Sequence, residues 1–336
     1  MNKVRITING FGRIGRSFFR EAFGLPGFEI VAVNDLTDTA TLGYLLKYDS
    51  VYRRYGKTVE AGEGVLRIDG KEIKVFAEKD PAMLPWKDLG VDIVIESTGF
   101  FADAQKANAH ITAGAKRVVI TAPAKGDVTM ALIGVNDDRF KNPSAITCNA
   151  SCTTNSVAPV MAILHENLGV QKASMTTVHS YTATQKLVDG PDSKDFRRGR
   201  AAAVNIVPSS TGAAEAVIES IPDLKGKFDA VSVRVPSITG SLSIITALVN
   251  KATTMEEVNA LFMAAKNSPR WSKILNVTND QVVSSDIIGE PYGGIVDATL
   301  TKVTDGNLVT VFSWYDNEFG YTATLLEHVR RIAAVL

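Results

Sequence analysis

Cysteine is nearly missing from this chain. Two thiols in 336 residues, Cys148 and Cys152, cannot staple a protein of this size, so the fold must rest on hydrophobic cores, and a reducing cytoplasm is the compartment that fits. Histidine is scarce as well: four dispersed residues, taken with the two cysteines, offer no metal-ligand spacing, and no metal is expected. Neither sign of charge is in excess. Lys plus Arg and Asp plus Glu each total 36, which removes the general electrostatic case for nucleic acid, and the Arg197, Arg198, Arg200 cluster reads as a solvated face or a subunit contact. Long apolar runs are lacking too. None reaches the roughly 20 residues of a membrane span, and the chain enters a strand-like run at residues 4–8 with no hydrophobic leader, so a protein neither exported by a classical signal nor embedded in a membrane is expected.

What is present is enough apolar material, 45% of residues, for two substantial cores. The first strand-like run ends in Asn9-Gly10-Phe11-Gly12-Arg13-Ile14-Gly15, and the apolar residues that follow, Phe18, Phe19 and Ala22, fall on a helical face. Between strand and helix, the spacing G-x-G-x-x-G suits a dinucleotide. Gly10 allows the tight turn, Gly12 lets backbone approach a pyrophosphate, and Gly15 lets the helix pack on the strand. A second strand over residues 29–33 ends at Asn34-Asp35, with the acid 20 residues beyond Gly15. A carboxylate there accepts from ribose hydroxyls and repels a 2′-phosphate, which predicts NAD over NADP. Further strands are expected at 92–95, 117–120 and 131–133, with a helix over 103–113 between them. Ser97 and Thr98, beyond the carboxyl end of one strand, become cofactor neighbours.

The pattern changes after Asn149-Ala150-Ser151-Cys152-Thr153-Thr154-Asn155-Ser156. Apolar residues at Val157, Val160, Met161 and Leu164 read as a helix with Cys152 at its N-terminus, where free N–H groups and the helix dipole should ease loss of the thiol proton. Pro159 sets a conflict, so the helix is expected to start late or kink. Cys148 reads as a small buried hydrophobe in a strand. Beyond residue 170 the strands become longer and helices fewer: 173–178, 228–235, 242–249, 295–303 and 308–314 suggest a mixed or antiparallel sheet, and Thr254-x-x-Glu257 makes a capping box ahead of a helix. The expected fold is α/β: an N-terminal doubly wound Rossmann domain over 1–151, joined by a C-terminal helix at 318–336, and an α+β catalytic and oligomerisation domain over 152–317. Cys152 is expected where the two meet.

These motifs together resemble one family, the phosphorylating glyceraldehyde-3-phosphate dehydrogenases. The resemblance runs the length of the chain, through the glycine loop, Asn34-Asp35, Ala150 to Asn155, His179-Ser180-Tyr181-Thr182, Ser209 to Ala214, Arg234-Val235-Pro236 and Trp314-Tyr315-Asp316-Asn317-Glu318. It implies that Cys152 attacks an aldehyde carbon and becomes a thioester, that His179 is its base and ion-pair partner, and that inorganic phosphate then releases 1,3-bisphosphoglycerate. By the same resemblance Ser151, Thr153, Thr211 and Gly212 hold the attacking phosphate, Thr182 and Arg234 the phosphate of glyceraldehyde 3-phosphate, and Asn317 the nicotinamide. Some relatives carry Asn-Asp where this chain has Ala183-Thr184, so no carboxylate role transfers there. The polar stretch from Ser180 to Ser210 is similar to a loop at the family's subunit contacts, which implies a homotetramer. Erythrose-4-phosphate dehydrogenase is the alternative.

Overall fold

The computed structural model describes residues 3–193 and 195–336; Lys194, inside the long polar stretch, and the first two residues lie outside the described set. By contact the chain divides into two compact units. One holds the chain up to Ala131 with Asp137–Ala150 and Leu325–Leu336; the other holds Leu132–Asn136 and Ser151–Thr324.

The first unit runs β1 (Val4–Asn9), α1 (Arg13–Ala22), β2 (Phe28–Asn34), α2 (Thr39–Lys47), β3 (Val59–Gly62), β4 (Val65–Ile68), β5 (Lys71–Phe76), β6 (Ile93–Glu96), α3 (Ala104–Thr112), β7 (Arg117–Ile120), β8 (Thr129–Met130) and β9 (Ile146–Cys148). They form one sheet in the order β3-β4-β5-β2-β1-β6-β7-β9-β8. Pairing is parallel from β5 to β8, and only the β3-β4-β5 meander is antiparallel. Both faces of a parallel sheet are covered, so its strands are apolar almost throughout: Ile6, Ile8, Ile93, Val94, Ile95, Val118 and Val119 are wholly buried. In α1, Phe19 meets Phe11 edge-on at 5.6 Å and stacks on Phe23 at 5.2 Å, pinning the helix that follows the glycine loop.

The second unit continues with α4 (Cys152–Leu168), β10 (Val170–Ser180), β11 (Val207–Ser209), α5 (Ala213–Ser220), β12 (Phe228–Val235), β13 (Ser241–Val249), α6 (Met255–Lys266), β14 (Leu275–Thr278), β15 (Gly294–Asp297), β16 (Lys302–Thr304) and β17 (Leu308–Tyr315). Its sheet, ordered β11-β12-β10-β13-β17-β15-β14 with β16 beside β17, mixes parallel and antiparallel pairs. β13 reads buried and half-buried in strict alternation, the period of a sheet with one face on the core. The capping box at Thr254 and Glu257 starts α6 as expected. The last helix, α7 (Phe319–Ala333), gives its residues from Leu325 onward to the first unit.

Three expectations need correction. Residues 131–133 are not a strand: they are buried, but the chain turns, with Gly134 at φ +76° and Asn136 Oδ1 accepting from Leu132 N at 2.7 Å. Periodicity cannot distinguish such a buried apolar run from a strand. Residues 295–303 form two strands rather than one, because Asp297 Oδ1 accepts from Thr299 N (3.0 Å) and Thr299 Oγ1 (2.6 Å) and so bends the chain. Pro159 neither delays nor ends its helix. α4 starts at Cys152 and passes through Pro159 to Leu168, and packing of a side almost wholly buried outweighs the one backbone bond that a proline cannot donate.

Candidate active site

In the first unit the three loop glycines meet three different demands. Gly10 has φ +89°, and a Cβ there would stand 2.7 Å from Thr98 N; a Cβ on Gly15 would stand 2.1 Å from Gly10 O. Gly12 has an ordinary φ of −72° and nothing within 4 Å of its missing Cβ, so its side of the loop faces open space. It caps α1 with no side-chain acceptor, which leaves the first-turn N–H groups for an anion.

Asp35 follows β2 and grips the same loop: its Oδ2 accepts from Phe11 N at 2.8 Å and its Oδ1 from Thr37 N at 3.0 Å. A cavity of about 500 Å³ opens there, walled by Gly10, Gly12, Asp35, Ser97, Thr98 and Phe100. Ser97 and Thr98 give it their backbone surface, because the Ser97 hydroxyl donates to Gly10 O (2.6 Å) and the Thr98 hydroxyl to Glu96. Phe100 and Leu36, both well exposed, add apolar walls. A helix N-terminus for phosphates, a carboxylate for hydroxyls and apolar faces for a flat ring together fit a dinucleotide. Of the other residues expected here, Gly15 is buried under the loop. Arg13 is turned toward Asp49, with which it pairs, and the ring of Tyr52, and Ile14 is half-buried.

In the second unit the local sequence explains the placement of the thiol. Ser151 is the N-cap of α4, its Oγ accepting from Thr154 N at 3.1 Å, so Cys152 is the first helical residue. Its Sγ lies 3.4 Å from Nε2 of His179, near the end of β10. His179 Nδ1 is 2.7 Å from Ser180 O and also meets Arg234 Nη1, from the neighbouring strand β12, which donates to Ser180 O as well at 3.1 Å. The carbonyl calls for Nδ1–H and the guanidinium for a bare Nδ1; in the tautomer that carries Nδ1–H, Nε2 offers its lone pair to the thiol, the form a base requires.

Opposed effects act on the thiol. Burial pushes the Cys152 thiol up, against the Arg234 charge and the hydrogen bonds from Thr153, which pull it down. Burial and then Arg234 lower His179 to about 3, opposed by the Ser180 carbonyl.

Arg234 stands against this pair, and the same unit carries the other residues expected to bind phosphate. Thr153 is buried behind Cys152; Thr211, whose Oγ1 accepts from Ala213 N at 3.2 Å, and the exposed Gly212 form the N-terminus of α5. Thr182 Oγ1 lies 3.0 Å from Thr184 Oγ1. Arg198 was not singled out from the sequence as a ligand, yet its Nη2 donates to Thr184 Oγ1 at 3.0 Å and its charge bears on Arg234. Arg197 pairs with Asp195 and Arg200 with Asp189, whereas Arg198 and Arg234 have no carboxylate partner among the described residues. Only pairing information could have separated these three arginines, and the sequence holds none. Asn317 is buried, and its Oδ1 accepts from Ser241 Oγ (2.8 Å) and Thr239 Oγ1 (3.2 Å), so its amide nitrogen lies away from these two hydroxyls. Among the described residues no helix is long and apolar enough to cross a membrane.

Comparison with known proteins bears on the same regions. The NAD binding domain of glyceraldehyde 3-phosphate dehydrogenase matches residues 4–104, and the C-terminal domain of that family matches residues 151–317. The chain is 56% identical over 326 residues to a glyceraldehyde-3-phosphate dehydrogenase of Thermotoga maritima, covering 96% of this chain and 97% of that one. It is 47% identical over 337 residues to that of Clostridium pasteurianum, covering 98% and 99%. A third relative of the same name, from Monascus purpureus, is 48% identical over 332 residues, 98% of either chain.

Proposed function

The chain belongs to the glyceraldehyde-3-phosphate dehydrogenase family, and on that premise we propose that it carries out the glycolytic oxidation of glyceraldehyde 3-phosphate, with NAD and inorganic phosphate, to 1,3-bisphosphoglycerate. It is an NAD-dependent oxidoreductase. The observation that carries the reading is a thiol at a helix N-terminus, 3.4 Å from an imidazole that meets Arg234, a guanidinium with no carboxylate partner among the described residues.

Arg234, with Arg198 and Thr182, grips the phosphate of the substrate, where a fixed charge serves a group that must be held. That phosphate also neutralises the guanidinium that depresses His179, so substrate binding itself raises the basicity of the ring. His179 Nε2 then takes the thiol proton as the sulfur attacks the aldehyde carbon. Gly10, Gly12 and Asp35, with Gly15 packing the helix beneath them and Asn317 reaching the carboxamide, would hold NAD, which would supply the hydride acceptor. His179 returns that proton to the alkoxide oxygen as the tetrahedral carbon forms, and takes it back as that carbon loses its hydride and collapses to a thioester. Ser151, Thr153, Thr211 and Gly212 then offer neutral donors to inorganic phosphate, which must be bound and still react. Its oxygen forms the new bond to the acyl carbon, the C–S bond breaks, and the sulfur leaves to recover its proton. We place the reaction in the cytoplasm and the chain in a homotetramer.

The test is NADH formation from NAD and glyceraldehyde 3-phosphate, with and without inorganic phosphate, alongside erythrose 4-phosphate. Rapid turnover of the triose that needs phosphate is expected. Preference for the tetrose, or indifference to phosphate, would overturn the assignment. The relatives described above are all named for the triose phosphate, which does not favour the tetrose alternative.

A further inference from the structure

The start of β13 lies where two other strands end. β13 runs antiparallel to both of its neighbours, β10 and β17, so its first residue, Ser241, is set beside the ends of both. Ser180 is the last residue of β10, and Tyr315, paired with Ser241, is the last of β17, two residues before Asn317. The turn into β13 is closed at Gly240, which has φ +85° and where a Cβ would stand 2.3 Å from Ser284 O. Ser241, Ser180 and Asn317 are all buried, so a polar atom left without a partner there is costly.

The Ser180 N–H donates to Ser241 Oγ at 3.2 Å, and Ser241 Oγ lies 2.8 Å from Asn317 Oδ1. A backbone N–H can only donate, so the serine oxygen is an acceptor toward Ser180, and its own proton must find another atom. Asn317 Oδ1 is the acceptor in reach. Turning the amide over would bring Nδ2 to the same place and leave that proton without a partner. Thr239 does not make the choice: its hydroxyl stands 3.2 Å from Asn317 Oδ1 but also 3.1 Å from the Asp316 carboxylate, to which it can donate with either end of the amide against its oxygen. We propose that Ser241 is a positioning residue that fixes the sense of the Asn317 amide, and so keeps its N–H donor for the oxygen of the nicotinamide carboxamide. The two amide protons of Asn317 have no acceptor among the described residues, as this role needs. The proposal rests on the reading of Asn317 as the residue that reaches the carboxamide, and deepens it. It also joins that residue to the base, because the same Ser180 that directs Ser241 has its carbonyl 2.7 Å from His179 Nδ1.

The test is calorimetric titration of the full-length protein with NAD and with ADP-ribose, which lacks the nicotinamide, in Ser241→Ala, Asn317→Ala and the double variant. Ser241→Ala is expected to raise the Kd for NAD by roughly five- to twentyfold and that for ADP-ribose by less than about twofold, the effect of one donor lost to a buried amide. A side chain that acts only through Asn317 has nothing to act on once Asn317 is alanine, so in that background Ser241→Ala should weaken NAD by less than about a further twofold. A merely structural serine would weaken both ligands alike, or would add its full loss to that of Asn317→Ala. Either result overturns the proposal, as does an unchanged NAD affinity in Ser241→Ala. If the alanine variant fails to fold, Ser241→Cys, close in size but a weak donor, goes through the same comparison and decides it. An unchanged NAD affinity in Asn317→Ala removes the reading of Asn317 itself, and the proposal with it, while leaving the Cys152 and His179 chemistry in place.

Discussion

Cys152 and His179 come from different elements, the start of α4 and the end of β10, yet their reacting atoms meet at 3.4 Å. That separation lets the imidazole take the thiol proton as the sulfur attacks. Cys152→Ser is expected to lower turnover by roughly 10⁴-fold or more, and His179→Asn by about 10²- to 10⁴-fold, with NAD binding unaffected in both. Calorimetric titration with NAD beside steady-state assays checks this, and near-normal turnover of the serine variant would remove the nucleophile from the scheme.

The arginines make a second contrast. Arg198 and Arg197 are neighbours in sequence, but among the described residues only Arg197 of the two is paired with a carboxylate, Asp195, whereas the Arg198 charge bears on Arg234. Arg198→Ala should raise KM for glyceraldehyde 3-phosphate by roughly ten- to a hundredfold, since it removes a charge that the phosphate alone neutralises. Arg197→Ala, losing an exposed pair, should change it by less than about twofold. Equal effects in the two variants would contradict the assignment of Arg198.

The glycine loop separates binding from folding. Gly12 has an ordinary φ and open space where a Cβ would go, so Gly12→Ala should leave Tm within about 2 °C while weakening NAD at least roughly tenfold, because the methyl group occupies the ligand's approach. Gly15→Ala should instead destabilise the protein by about 1–3 kcal/mol or more, since its Cβ would meet Gly10 O at 2.1 Å. Thermal melts and NAD titrations of both variants show whether the two effects divide this way.

Asp35 offers a test by charge alone. Asn in its place keeps an oxygen for Phe11 N and so holds the loop, but no longer repels a 2′-phosphate. Asp35→Asn is expected to narrow the preference in kcat/KM for NAD over NADP by roughly tenfold. An unaltered ratio would mean that other groups set the choice.

Local chemistry was readable from the sequence wherever it depends on neighbours along the chain. The glycine loop, Ser151 capping α4 and the Thr254–Glu257 box each fall into this class. The β3-β4-β5 meander was legible in principle, since Asp69-Gly70, both at positive φ, is a hairpin dipeptide between alternating residues. Other features depend on distant residues and leave no local trace. The upward push on Cys152 comes from burial, and the freedom of Arg198 comes from where Asp195 and Asp189 happen to fall. Tyr315 lies 162 residues from Thr153, and nothing near it in sequence marks its hydroxyl for that partner.

His328 ties the end of the chain to the first sheet and makes that tie sensitive to acid. It is wholly buried on α7, its Nε2 2.8 Å from Thr147 Oγ1 and its Nδ1 3.1 Å from Ala131 O, with Phe140 against the ring. Nδ1 therefore donates to the carbonyl and Nε2 accepts from the hydroxyl, an arrangement that only the neutral ring satisfies. Burial lowers its pKa to about 4 from the ordinary 6.5. The unfolded chain thus binds the proton first: the stability that the neutral ring contributes is fully present above about pH 6.5 and is lost as pH falls toward 4. The shift corresponds to something on the order of 3 kcal/mol, and His179 adds a loss in the same direction over a window reaching lower. His328→Gln keeps a donor and an acceptor but cannot be protonated in this range, so it should flatten the decline in Tm between pH 6.5 and 4 while costing some stability at pH 8. Melting curves at several pH values distinguish the cases, and a decline as steep in the variant as in the wild type would show that His328 is not the residue responsible.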